Sequence, residues 1–123
     1  MTDAETTVAD LRRDLAAFMD ERDWQQFHTP SHLSHALAIE AAELMEHFLW
    51  LSDEEEMALL EDETRRSALV DELADVVIYS MTLADALDVD VSTAVREKMA
   101  RNARRFPALM WRGRARDEGM REE

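Results

Sequence analysis

Two short stretches place acids at a spacing that could do chemistry. They are Glu40-x-x-Glu43, set in Ala38-Ile39-Glu40-Ala41-Ala42-Glu43-Leu44, and Glu72-x-x-Asp75, set in Val70-Asp71-Glu72-Leu73-Ala74-Asp75-Val76. In each, apolar residues recur at helical spacing, so both acids of a pair fall on the face that should turn inward. An ionised carboxylate taken out of water costs several kcal/mol or more without a partner, and four close together also repel. A cation between them resolves both problems. One such pair means little, since acids at 28 of 123 positions give about six pairs at this spacing by chance. Two pairs on separate helices, each inside an apolar stripe, mean more.

An all-oxygen, highly charged cluster suits Mg²⁺, with Mn²⁺ as a substitute, because these hard cations keep waters and bind substrate phosphates. A di-iron carboxylate bundle also projects acids inward but needs a Glu-x-x-His step. The residues three before His28, His32, His35 and His47 are Gln25, Thr29, His32 and Leu44, so that step is absent. The acids at 53–56 and 61–63 lack the alternation and glycine of a calcium loop and read as a solvated face. Lys98, Asn102 and Arg105, spaced i, i+4, i+7, share one helix face and could hold the remainder of a polyphosphate. No glycine-rich phosphate loop is present, so an anion would be gripped by metal and side chains.

The elements that must position these residues are helical. Leu, Ala, Met and Glu are abundant while Gly and Pro number two each, and no strand-like alternation stands between turn signals. An all-α chain follows, with one domain at 1–107 and a basic, flexible tail at 108–123 in which Met110 and Trp111 serve as anchors. The periodicity predicts helices over 4–22, 30–51, 64–87 and 91–105, with a short one after the capping box Ser52-Asp53-Glu54-Glu55. Thr29-Pro30 starts the second and Phe106-Pro107 ends the last. The ring-rich connection holding Trp24, Phe27 and His28 reads equally as a core plug or a ligand wall.

Charge and composition exclude several classes. A formal charge of -14 argues against nucleic-acid binding as a main function. Its distribution is uneven: residues 40–75 hold 13 of the 28 acids against two Arg, and residues 96–121 hold nine of the 14 basic residues. There is no cysteine, hence no disulfide or thiolate metal site. No signal-like segment or spanning apolar run is seen, which points to a cytoplasmic protein without membrane attachment.

With these residues in hand, the sequence resembles the all-α nucleoside triphosphate pyrophosphohydrolases of the MazG-like superfamily, nearest the dCTP pyrophosphatase branch. The resemblance covers about residues 14–107. It rests on Glu21-Arg22-Asp23-Trp24-x-x-Phe27-His28-x-Pro30, Glu40-x-x-Glu43-x-x-Glu46, Phe48-Leu49-Trp50, the block Asp71 to Tyr79, and Lys98-x-x-x-Asn102-x-x-Arg105-Phe106-Pro107. Ala42 stands where many relatives have Gly, and Phe106 where Tyr is common. The resemblance implies a four-helix bundle shared between subunits of a tetramer, or at least a dimer. It also implies magnesium on Glu40, Glu43, Glu72 and Asp75, and substrate contacts from Lys98, Asn102 and Arg105.

The implied activity is hydrolysis of a dCTP-like nucleoside triphosphate to monophosphate and pyrophosphate. A metal-activated water attacks the α-phosphorus, Glu43 is the expected base, and Lys98 and Arg105 stabilise charge. Trp24, Phe27, His28, Trp50 and Tyr79 are the expected base pocket. The alternative is a non-catalytic acidic helical interaction module that keeps the fold.

Overall fold

A computed structural model describes residues 1–115. Among them are six α-helices, one 3₁₀ turn and no strand: α1 (Val8–Glu21), the 3₁₀ turn (Gln25–Phe27), α2 (Pro30–Glu46), α3 (Asp53–Glu61), α4 (Glu63–Ala86), α5 (Val91–Arg105) and α6 (Ala108–Trp111). The all-α expectation holds. No helix among the described residues is long and apolar enough to cross a membrane.

Local chemistry sets the helix ends. Thr7 opens α1 with a capping box: its hydroxyl accepts from the Asp10 amide at 3.1 Å and the Asp10 carboxylate accepts from the Thr7 amide at 3.0 Å. The helix therefore begins at Val8, four residues later than the apolar pattern suggests. Thr29 caps α2 through the His32 amide, with Pro30 in the first turn. Ser52 and Glu55 form the expected box on α3. Asp62 closes α3 and also caps α4, accepting from the Arg65 amide, so one acid of the run at 61–63 shapes the backbone.

The larger correction is at the end of α2, which stops at Glu46 and does not reach Leu51. The chain tightens into i+3 bonds, the His47, Phe48 and Leu49 amides donating to the Leu44, Met45 and Glu46 carbonyls, and Trp50 then takes a left-handed φ of 62°. His47 and Leu51, in register with Leu33, Leu37 and Leu44 in the sequence, thus fall outside the helix.

The described residues divide into two compact units, one of residues 1–89 and one that begins at Asp90. In the first, α4 is the hub, with α2 laid along it most extensively and α1 and α3 packed on it as well. Glu40 and Glu43 meet Glu72 while Gln25 and His28, just ahead of α2, lie by residues 82–86, so α2 runs antiparallel to α4. The Arg12 guanidinium donates from two nitrogens to Asp85 Oδ1, at 2.8 and 2.5 Å, and ties α1 to the end of α4. Only Met19, Leu33, Leu59, Thr82 and Ala84 are buried among the described residues. Phe18, Ile39, Met45, Trp50, Leu73 and Val77 remain exposed.

In the second unit α5 has the predicted bounds, capped by Asp90. Of the segment expected to be a tail, Ala108–Trp111 forms one helical turn, with the Trp111 ring edge-on to Phe106 at 4.9 Å. Residues 116–123 of that segment lie outside the described residues.

Candidate metal and nucleotide site

The helical period puts Glu40 and Glu43 one turn apart on α2 and Glu72 and Asp75 one turn apart on α4. Antiparallel packing then makes the two pairs face each other. Glu40, Glu43 and Glu72, all half-buried, each offer an oxygen within 4.8 Å of the others'. Oε2 of Glu40 and Oε2 of Glu72 are shut off from solvent and have no hydrogen-bond partner among the described residues. Asp75 is half-buried beside this trio, near enough for its charge to act on both Glu40 and Glu72.

The electrostatics are those of a site short of positive charge. Burial, followed by the neighbouring carboxyls of Glu43, Glu72 and Asp75, pushes the Glu40 carboxyl from 4.5 up to about 7. Glu72 is raised as well, by burial first and then by Glu43. A divalent cation is the group that would lower both again, and the Glu cluster can hold one. The donor set fits: three convergent carboxylates, two of them with an orphaned buried oxygen, are hard oxygen ligands of the kind Mg²⁺ takes.

An open cleft of about 410 Å³ reaches this cluster and is lined by Glu43, Glu46, His47 and Glu72. Sequence reasoning gives Glu46 and His47 no chemical role, although Glu46 continues the three-residue spacing of Glu40 and Glu43. His47 enters there only as one of the four histidines with no glutamate three residues before it.

The aromatic residues are more scattered. Trp24 is edge-on to Phe18 at 5.8 Å, and Phe27 is exposed. His28 is half-buried and lines a cavity with α1 and α4, while Tyr79 is half-buried one turn beyond Asp75 on α4. Trp50 is 90% exposed and joins none of the others. Lys98, Asn102 and Arg105 belong to the second unit, where they share a face of α5 and only Asn102 is half-buried.

The MazG-like family model matches residues 36–113 of this sequence, a span that contains all four acids as well as Lys98, Asn102 and Arg105. The chain belongs to the MazG-like family. This MazG-like chain is also 45% identical over 112 residues to dCTP pyrophosphatase 1 of Bos taurus and to that of Homo sapiens, a match covering 91% of the chain. It spans 66% of the length of each of those two relatives. A crystal structure of a pyrophosphatase from Archaeoglobus fulgidus is similar with a TM-score of 0.75 and 39% identity, over 80% of this chain and 91% of the archaeal one.

Proposed function

We propose that this MazG-like chain hydrolyses a deoxynucleoside triphosphate, dCTP or a close analogue, to the monophosphate and pyrophosphate. The observation that carries the reading is the convergence of Glu40, Glu43 and Glu72 with two unpartnered buried oxygens. Its support from outside the chain is the likeness to proteins named dCTP pyrophosphatase 1. Mg²⁺, or Mn²⁺ in its place, would be held by Glu40, Glu43, Glu72 and Asp75, and when bound supplies charge neutralisation to the phosphate oxygens and a more acidic water.

The side chains do the rest. Glu43, at the edge of the open cleft, accepts the proton of the attacking water. Lys98 and Arg105 stabilise the negative charge that grows on the leaving pyrophosphate, and Asn102 orients the substrate between them. Trp24, Phe27, His28, Trp50 and Tyr79 wall the base. Trp50 suits that place, because a tryptophan at positive φ with an almost fully exposed ring has nothing among the described residues to repay the strain.

The working form in this proposal is a homo-oligomer, a tetramer or at least a dimer, with the bundle shared between copies. An uncovered apolar groove of about 580 Å³ between α1 and α4, walled by Leu11, Phe18, Val77 and Met81, supports it. So do the exposed Ile39, Met45 and Leu73.

The test is product analysis. With Mg²⁺, purified protein should convert dCTP to dCMP and pyrophosphate, and Glu40→Gln and Asp75→Asn should each abolish most of the rate. Unchanged activity in both variants sinks the site assignment. No turnover of any triphosphate, with no rise in melting temperature on adding Mg²⁺, supports the non-catalytic module.

A further inference from the structure

The open cleft that reaches the acid cluster has one lining side chain that is not a carboxylate. Glu43, Glu46 and Glu72 offer acceptors alone once ionised, whereas the His47 imidazole carries one N–H when neutral and two when protonated. A polyphosphate entering here meets acids on most sides, and a divalent ion on the cluster answers only the oxygens near it. The remaining oxygens need a donor from the wall.

The fold holds His47 ready for that use. Its backbone keeps helical dihedrals, φ -61° and ψ -26°, at the end of α2, and its amide donates to the Leu44 carbonyl at 3.3 Å. Glu40, Glu43 and His47 therefore follow one another at steps of three and four along one stripe. The residue is half-buried, yet its ring nitrogens make no hydrogen bond among the described residues. His32 is the contrast, its Nδ1 lying 3.2 Å from the Phe27 carbonyl in a contact that ties the 3₁₀ turn to α2. With no such tie, the donor of His47 is free for a ligand.

Order along the helices decides which part of a nucleotide it meets. Because α2 and α4 run antiparallel, the segment just ahead of α2, with Phe27 and His28, and the residues past Asp75 on α4, with Tyr79, fall on one side of the acids. His47 falls on the other side, about 6 Å beyond Glu43 at 1.5 Å per residue. With the base among those rings and the α-phosphorus at the acids, the β- and γ-phosphates extend toward His47. Trp50, past His47 and 90% exposed, would meet a base bound by a second copy in the proposed oligomer.

We propose that His47 grips the leaving pyrophosphate, donating an N–H to an oxygen of the β- or γ-phosphate. The assignment rests on the hydrolytic reading above and deepens it with a further substrate contact, one that comes from the same unit as the acids.

The experiment compares wild type with His47→Leu, which keeps bulk and removes the donor, and with His47→Gln, which restores an N–H. Calorimetry with Mg²⁺ measures binding of dCMP and of the α,β-imido analogue of dCTP, which resists cleavage between the α- and β-phosphates. His47→Leu should bind the analogue roughly 10- to 100-fold more weakly, the range for a hydrogen bond to a charged group, and should bind dCMP as wild type does. His47→Gln should recover most of the loss. His47→Ala, with the same expected loss, serves if His47→Leu melts early.

Undiminished analogue binding in the folded variant without a donor, or dCMP binding weakened by the same factor, overturns the proposal, as does wild type that binds no analogue. Turnover of dCTP in the first of these cases leaves the hydrolytic reading standing without His47. A loss confined to the analogue, with no turnover of dCTP by wild type, keeps the His47 contact and removes the hydrolysis.

Discussion

Glutamine at position 40 should make the protein more stable at high pH while disabling its metal site. In the native state the Glu40 carboxyl titrates at about 7, against 4.5 in an ordinary setting, because it is partly buried beside Glu43, Glu72 and Asp75. The folded protein therefore keeps a proton that the unfolded chain has lost, and gives it up as pH rises through about 7. The native state binds more protons throughout that window, so stability falls as pH rises from about 4.5 to 7, and above 7 the full cost of the charge is present. Glu40→Gln is neutral at every pH and escapes this cost.

In EDTA, differential scanning fluorimetry should find the two proteins melting together near pH 5 and the variant melting higher at pH 8. Adding Mg²⁺ should raise the wild-type melting temperature, more at pH 8 than at pH 5, since metal and proton compete for the same oxygens. The variant should respond much less. A variant that melts lower than wild type at both pH values, or a magnesium effect equal in the two proteins, refutes the reasoning.

Other substitutions probe the frame. Leu33→Ala, at one of the two most buried side chains, should cost about 2–5 kcal/mol of stability by denaturant melts. Ser52→Ala removes the α3 cap and should cost about 0.5–2 kcal/mol. Trp50→Gly relieves the positive φ and should not lower the melting temperature, yet it should raise KM for the triphosphate if the ring walls the base. Light scattering should give a mass at least twice 14.2 kDa, and Val77→Glu on the exposed apolar face of α4 should reduce it.

The convergence of Glu40, Glu43 and Glu72 is legible in the sequence as far as helical period carries it, since the flanking Ala, Ile, Leu and Val put each pair on an apolar face, and the antiparallel packing of α2 on α4 then joins the pairs. The α3 start is equally plain, since Ser52 and Glu55 make a local signature. The stop of α2 is hidden: Phe48, Leu49 and Leu51 extend the apolar seam, and the left-handed residue that breaks it is Trp50, where a glycine or asparagine would give warning. The Thr7–Asp10 box has a recognisable spacing, but Ala4, Glu5 and Thr6 include no glycine or proline to stop the predicted helix running on through them. Asp62 is masked by the acids around it.

The tie between α1 and the end of α4 has no sequence signal, because it depends on Arg12 reaching Asp85 across 73 residues. The partial burial of so many apolar side chains is likewise invisible, because periodicity marks an apolar face without saying whether the same chain covers it.

The most direct measurement is hydrolysis of dCTP in ¹⁸O-labelled water with Mg²⁺, followed by mass spectrometry of both products. Attack at the α-phosphorus from the acid cleft predicts one labelled oxygen in dCMP, none in pyrophosphate, and loss of both products in Glu40→Gln. Label in pyrophosphate or orthophosphate, or undiminished dCMP from Glu40→Gln, would contradict the assignment of that chemistry to the glutamate cluster.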